Sequence, residues 1–277
     1  MGTHQRYEYF AQYRLVRSQG AVHGLERWVV LNEQSNTNHM LYRFAPTHDA
    51  SARRLFSAVQ EMSSVRHAHL LRIESLSFDA QERLCVITPY TGNQDGLVTL
   101  ADLLDQRDGK FEQAEAIRCL SHLLEASSAA SAAGLAHGPI NTREILVDRF
   151  GSVHIELYGL RGVLNSDSSV ADRTSDEVLS LVKIGYRMLV GLEPGTQDRI
   201  APTRVVRKLE KLWDRWFAIG LDPIDGFESA EEAMRLLPTN PLASEAFASR
   251  PAARPQVQFG SMLRRFRPAG SRARTRD

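Results

Sequence analysis

Several things are scarce in this 277-residue chain. Cysteine occurs twice, at Cys85 and Cys119, both in apolar surroundings and at no metal-ligand spacing. A disulfide framework is thereby excluded, and a reducing compartment is expected. Two small buried hydrophobes are the simpler role for both thiols. No apolar run approaches the roughly 18 residues of a membrane span. The opening MGTHQRYEYF has no apolar signal core. Its Met-Gly start is not read as a lipidation signal, because Arg6 stands where a myristoylation motif needs Ser or Thr. Net charge is also lacking: 34 Lys and Arg face 33 Asp and Glu, which leaves +1. The molecule as a whole therefore has no electrostatic preference for a polyanion, and nucleic acid is not an expected partner. A cytoplasmic protein is expected, peripheral to a membrane at most.

The charge that is present is unevenly placed. Arg250 to Asp277 holds eight Arg and one Asp, net +7, so the rest of the chain is acidic at −6. With 43% hydrophobic and 24% charged residues the composition is ordinarily globular. The length suits one large domain or two small ones.

Period-2 runs rich in β-branched and aromatic residues come first. Tyr13 to Gln34 reads as two strands around a turn at Gly20 to Gly24. NEQSNTN is a hairpin loop, and HMLYRF (39–44) is the next strand. THDASARRLFSAVQEMSSV is helical, with cap candidates Thr47 and Asp49 and with Leu55, Val59 and Met62 at i, i+4, i+7. LLRIESLSFD and RLCVITPY are two more strands. From about Gly92 the pattern turns helical. LADLLDQ is short, and FEQAEAIRCLSHLLEASSAASAAG is long, with Gly134 as its stop. EILVD and GSVHIELYG form a hairpin around Arg149-Phe150-Gly151. Glu177 to Gly191 is apolar on nearly every face, as a central buried helix would be. RVVRKLEKLWDRWFAIG and SAEEAMRLLP supply two further helices. The order defines an α+β chain of two lobes with a cleft between them. The expected divisions are 1–91, 92–247 and a tail at 248–277.

This order, and several phrases within 10–240, resemble the protein kinase fold, in particular bacterial Ser/Thr kinase-like domains. VRHAHLLRI, with His67, is similar to the segment after the kinase regulatory helix. LCVITPYTGN resembles the hinge strand, AGLAHGPINTREILVD the catalytic loop, and VHIELYGL the metal-binding loop. EVLSLVKIGYRMLVGLEP resembles the large central helix, and LDPIDGFESAEEAMRLL the final helix pair. The resemblance implies a bilobal fold: a five-stranded antiparallel N-lobe with one helix, and a mainly helical C-lobe.

Phosphoryl transfer needs a glycine loop, a phosphate-binding lysine, a base and metal ligands. The resemblance assigns each of these a position, and most positions hold the wrong residue. Of the glycine loop only Gly20 remains, between Ser18 and His23, with Gly24 a one-residue shift away; an ordinary hairpin turn accounts for it equally well. The lysine position falls on Arg43, and its partner glutamate on Ala58, with Glu61 a turn further on. Arginine is no neutral replacement for that lysine. Thr88 and Tyr90 on the hinge strand complete the nucleotide-binding candidates. In the catalytic loop His137, Ile140, Ile145 and Leu146 keep the framework. The base position is Pro139, which cannot accept a proton. Asn141 replaces a phosphate-neutralising lysine, and Glu144 replaces a metal-binding asparagine. The second metal ligand is replaced by Leu157, and its neighbour Glu156 belongs to the opposite strand face. The polar stretch 160–176 carries no Ala-Pro-Glu anchor, and Gly226 stands where the anchor's arginine partner belongs.

Losing a general base alone costs about 10²–10⁴ in rate, and losing the metal ligands removes much of the remaining electrostatic stabilisation. The resemblance therefore implies a pseudokinase: a scaffold or regulatory module that binds another protein, such as an active kinase or signalling protein. No metal or cofactor is expected; ATP stays open, bound without metal if bound. The alternative is an atypical kinase or nucleotide-binding enzyme that uses Arg43, Glu144, and Glu156 or Glu61 in new roles.

In the tail, Phe259, Met262, Leu263 and Phe266 fall at i, i+3, i+4, i+7, flanked by Arg264, Arg265 and Arg267 and ended by Pro268. That is a short basic amphipathic helix, suited to a partner groove or an anionic membrane surface. Packing of its apolar side on the protein's own body is an equal reading. SRPAARPQ before it reads as linker. Deleting 255–277 should leave the melting temperature of the rest unchanged; a large drop in a thermal melt would show that the tail is part of the packed core.

Overall fold

The computed structural model describes residues 8–22, 24–46, 49–93, 96–160, 169–195 and 199–249. The expected basic helix with Phe259, Met262, Leu263, Arg264, Arg265 and Phe266 lies outside these residues, as do His23 and Thr47.

The N-lobe sheet has the order β1-β2-β3-β4-β6-β5 and is antiparallel throughout. Its strands are β1 (Tyr9–Phe10), β2 (Tyr13–Val22), β3 (Leu25–Asn32), β4 (Thr37–Arg43), β5 (Ser75–Phe78) and β6 (Leu84–Pro89). The five expected strands are present, and the two-residue β1 is added at the edge. Between β4 and β5 runs α1 (Asp49–Ser64). It lays Leu55, Val59 and Met62 on one face of the sheet, against Val29, Met40, Tyr42 and Val86. Burying each such side chain contributes about 1.5–3 kcal/mol. The opposite face buries a second cluster: Phe10, Tyr13, Leu15, Val30, Leu41, Cys85 and Ile87. Strand β4 is thus covered on both faces.

The residues expected to begin β5 do something else. His69 accepts from Ile155 N at 2.9 Å, and Leu71 N donates to Ile155 O at 3.0 Å. The segment before β5 is tied to the C-lobe hairpin rather than to its own sheet, which leaves only Ser75–Phe78 as strand. This is one of the joints between the lobes.

The C-lobe contains α2 (Leu100–Gln106), α3 (Gln113–Ala132), a 3₁₀ turn (Thr142–Glu144), the hairpin β7 (Ile145–Val147) and β8 (Val153–Ile155), and α4 (Val170–Val190). Then come α5 (Pro202–Val205), α6 (Lys211–Gly220), α7 (Ala230–Arg235) and α8 (Ala243–Ser249). A Thr99–Asp102 capping box starts α2. The central helix begins earlier than its apolar pattern suggests: Ser169 caps it by accepting from Asp172 N, so part of the polar stretch 160–176 is its first turns. Helices α3 and α4 meet where α4 has Gly185; a Cβ there would come within 2.8 Å of Leu120. Cys85 and Cys119 are free and buried. Burial pushes their thiols up to about 11 and about 12, which keeps them from acting as thiolates. Among the described residues no helix is long and apolar enough to cross a membrane.

Candidate functional site

The site between the lobes is organised from α4. Glu177 and Ser180 lie at i, i+3, so they project from one side of the helix. Glu177 is 1% exposed. Its Oε2 accepts from His137 N at 2.7 Å, and its Oε1 accepts from the Tyr158 hydroxyl at 2.7 Å. Ser180 Oγ accepts from Ile140 N at 2.8 Å and donates to Glu177 O at 2.7 Å. One helical turn thereby holds the loop 137–140 and the segment after β8. Burial raises the Glu177 carboxyl above its ordinary value, against the opposing effect of these donors. Burial and the Glu177 charge likewise push the Tyr158 phenol upward.

His137 completes this frame. Gly159 N donates to its Nδ1 at 2.8 Å, which puts the ring proton on Nε2. The ring is buried beside Tyr158, with centroids 5.4 Å apart. Gly159 has φ +91° and passes so close to α1 that a Cβ would lie 3.2 Å from Met62 Cγ. The positive φ favours glycine there, and any larger residue would also press on Met62.

Pro139 is exposed in the loop. Asn141 and Glu144 are engaged with each other: Arg143 N donates to Asn141 Oδ1 at 2.9 Å, and Asn141 N donates to Glu144 Oε2 at 2.8 Å. This is the reciprocal capping box of the 3₁₀ turn. Asn-x-x-Glu is its sequence signature, and it was the legible sign of this role. Leu157 is 3% exposed, with φ +41°, and packs with Leu55, Val59 and Met62 under α1.

The cleft side of β4 differs from the expected one. Arg43 belongs to the sheet face turned away from the cleft. It is 5% exposed and pairs with Glu8 (2.9 Å), Glu26 (3.4 Å) and Asp79 (3.5 Å). Glu61 is exposed on α1. The β4 residue presented to the cleft is Tyr42, whose hydroxyl donates to Glu156 Oε1 at 2.6 Å. Arg27 Nη1 stands 3.5 Å from Glu156 Oε2. Glu156 therefore reaches into the cleft, held by two N-lobe residues, while Leu157 turns under the helix. Burial raises the Glu156 carboxyl, Glu144 adds to the rise, and Arg27 and Tyr42 oppose it. Tyr42 and Arg27 escaped the sequence reading because Met40, Leu41 and Tyr42 are all apolar and all buried, so alternation marks no cleft face.

Further along the cleft, Thr88 is fully buried and donates to Pro89 O at 3.2 Å. Tyr90 is half-buried and donates to Asn93 O at 2.8 Å. Leu146 of β7 is fully buried and joins Val29 and Met40 in the N-lobe cluster. Gly20 has φ +79° in an exposed part of β2, with nothing near the place a Cβ would take. The structure brings Glu144, Glu156, Leu157 and Tyr42 together and leaves Arg43 and Glu61 apart from them. Among the described residues no group of three or more His, Cys, Asp or Glu is placed to hold a metal ion.

The fold is shared with known proteins. The family model for protein tyrosine and serine/threonine kinases matches residues 23–181, more than half of the chain, and the chain belongs to that family. The crystal structure of the Mycobacterium tuberculosis PknI kinase domain superposes with a TM-score of 0.64 at 16% identity, covering 86% of this chain and 97% of that one. A cysteine-to-alanine mutant of the same domain gives 0.64 at 17%, covering 87% and 97%. At such identity the likeness is one of fold. No curated protein matches the sequence.

Two predictions follow from the buried carboxylates. Glu177→Ala strands His137 N–H and the Tyr158 hydroxyl, and should lower stability by about 3–5 kcal/mol in urea unfolding. Glu177→Gln, which keeps one acceptor, should cost clearly less. For Glu156 the folded pKa is raised, so its favourable contribution is complete below the ordinary value of 4.5 and is lost as pH rises through the folded value. Glu156→Gln does not titrate and still accepts from Tyr42. The mutant should therefore gain stability relative to wild type as pH rises from about 4 to about 8; a flat difference across that range would show that Glu156 is not raised.

Proposed function

We propose that this kinase-fold domain does not transfer phosphate, and that it serves as a scaffold or regulatory module binding another protein, such as an active kinase or a signalling protein. The observation that carries this reading is the occupancy of the cleft by the domain's own side chains. Tyr42, Glu156 and Arg27 bridge the lobes, and Leu146, Met40 and Leu157 are buried between them. Nucleotide would have to displace this packing. A base is missing at Pro139, and a metal ligand at Leu157. A kinase turning over about 1–100 times per second would fall to negligible activity on such losses, even though they do not simply add. A basic tail beside an acidic body suits attachment to an anionic membrane surface or to the partner itself.

One observation favours the enzyme instead. Glu144 and Glu156 are neighbours, Glu156 N donating to Glu144 O at 2.8 Å, and the Glu144 charge disfavours ionisation of Glu156. A divalent cation would relieve that repulsion.

Thermal unfolding with ATP in Mg²⁺, Mn²⁺ or EDTA separates the two. A ligand at about 100 times its Kd adds ~2.7 kcal/mol, which moves the midpoint of a domain this size by roughly 2–4 °C. No shift is expected in any condition, and no labelled phosphate on a protein substrate. A shift that needs metal, together with phosphate transfer, would overturn the proposal.

A further inference from the structure

Four histidines meet where the segment after α1 crosses onto the C-lobe. His67 and His69 belong to that segment, His122 to α3 and His154 to β8. The rings of His69 and His122 are stacked, with centroids 3.9 Å apart and planes 12° from parallel. The His67 ring lies 5.6 Å from that of His69, and the His154 ring 6.3 Å from it. Two hydrogen bonds fix where the ring protons sit. His69 Nδ1 is 2.9 Å from Val153 O, a carbonyl that only accepts, so this nitrogen carries the proton. His69 N donates to His67 Nδ1 at 3.3 Å, so that nitrogen is bare. A protonated His67 would set one N–H against another and lose this bond. The backbone beside the stack is the joint between the lobes: Ile155 N donates to His69 O at 2.9 Å, and Leu71 N to Ile155 O at 3.0 Å.

Few other charges face the cluster. Arg118 and Glu125 act on His122 from α3, Glu125 also acts on His67, and Asp148 stands 3.5 Å from His154. With all four rings neutral, one cation therefore faces two carboxylates; with all four protonated, five cations face the same two. His69 is buried and the other three rings are half-buried, so water screens their charges only in part. One proton can be accommodated by a stacked pair, but a second puts like charges at van der Waals distance. We propose that this cluster is a proton-sensitive latch: as pH falls below neutral its rings take up charge, the stacked pair repels, and the segment 67–71 loosens from β8. Burial, and then the neighbouring His69, hold His67 and His122 below the ordinary histidine value, with Glu125 opposing. Histidine is the side chain whose charge changes in this range. The latch does not depend on whether the domain transfers phosphate.

The test compares the full wild-type chain with His122→Phe, which keeps a flat ring against His69 but cannot take a proton. A histidine held below its ordinary value of 6.5 contributes stability that is complete above that value and is lost as pH falls below it. From about pH 7.5 to about pH 5 the melting midpoint of the wild type should therefore drop further than that of the variant, by about 2–4 °C. Glu156 and Glu177 titrate in both chains and cancel in the comparison. Over the same range, hydrogen exchange corrected for its intrinsic rate should accelerate about tenfold at the Leu71 and Ile155 amides of the wild type, and less in the variant. The Ile140 amide, held by Ser180, should stay protected. The imidazole resonances of the wild type give a second measurement that needs no substitution: those of His67 and His122 should titrate below 6.5. Equal pH dependence of the two chains, unchanged exchange at Leu71 and Ile155, or ordinary titration of His67 and His122 would each overturn the proposal.

Discussion

A single buried carboxylate holds the interior of this domain together. Glu177 sits on the central helix and takes donors from the loop before Ile140 and from Tyr158 after β8. Neither of these segments has a regular ladder to satisfy its polar groups, and in a dry interior an unpaired N–H or hydroxyl is costly. The acid answers both at once, and Ser180 adds the next backbone donor from the same helical side. His137 and Gly159 close the arrangement by pairing with each other. The loop is kept in shape by contacts that point inward, toward α4, and none of them depends on what its outer residues can do chemically.

This explains how a family scaffold persists around altered residues. Pro139 is on the outside of the loop. Asn141 and Glu144 cap a 3₁₀ turn, Leu157 fills space under α1, and Tyr42 uses its hydroxyl to tether Glu156. Each substitution has a packing or hydrogen-bonding role of its own. Tyr42, Arg27 and Glu156 join the lobes through side chains, and the raised Glu156 carboxyl is the electrostatic cost of that burial.

Much of the architecture was legible in the residues. Helix α1 follows from Leu55, Val59 and Met62, the end of α3 from Gly134, and the β7–β8 hairpin from its Arg149-Phe150-Gly151 turn. These are local signals: one period or one turn residue suffices. The cleft was less legible. A one-residue error of face on β4 put Arg43 where Tyr42 belongs, because both faces of that strand are buried and the period-2 signal vanishes. Glu156 and Leu157 exchange the roles their strand alternation suggests, because the chain leaves β8 at Ile155 and Leu157 takes a positive φ. Glu177 reads as one polar residue at the start of an apolar helix; nothing local says that it will be buried and paired with residues 19 and 40 positions away.

The sequence by itself determined the lobes, their order, the family likeness and the absence of a proton acceptor at Pro139, since these depend on residue type and short-range pattern. Only the tertiary structure decided which side chains enter the cleft and which carboxylates are buried. Those outcomes depend on contacts between segments far apart in the chain, where burial and charge are set by neighbours that no local pattern names.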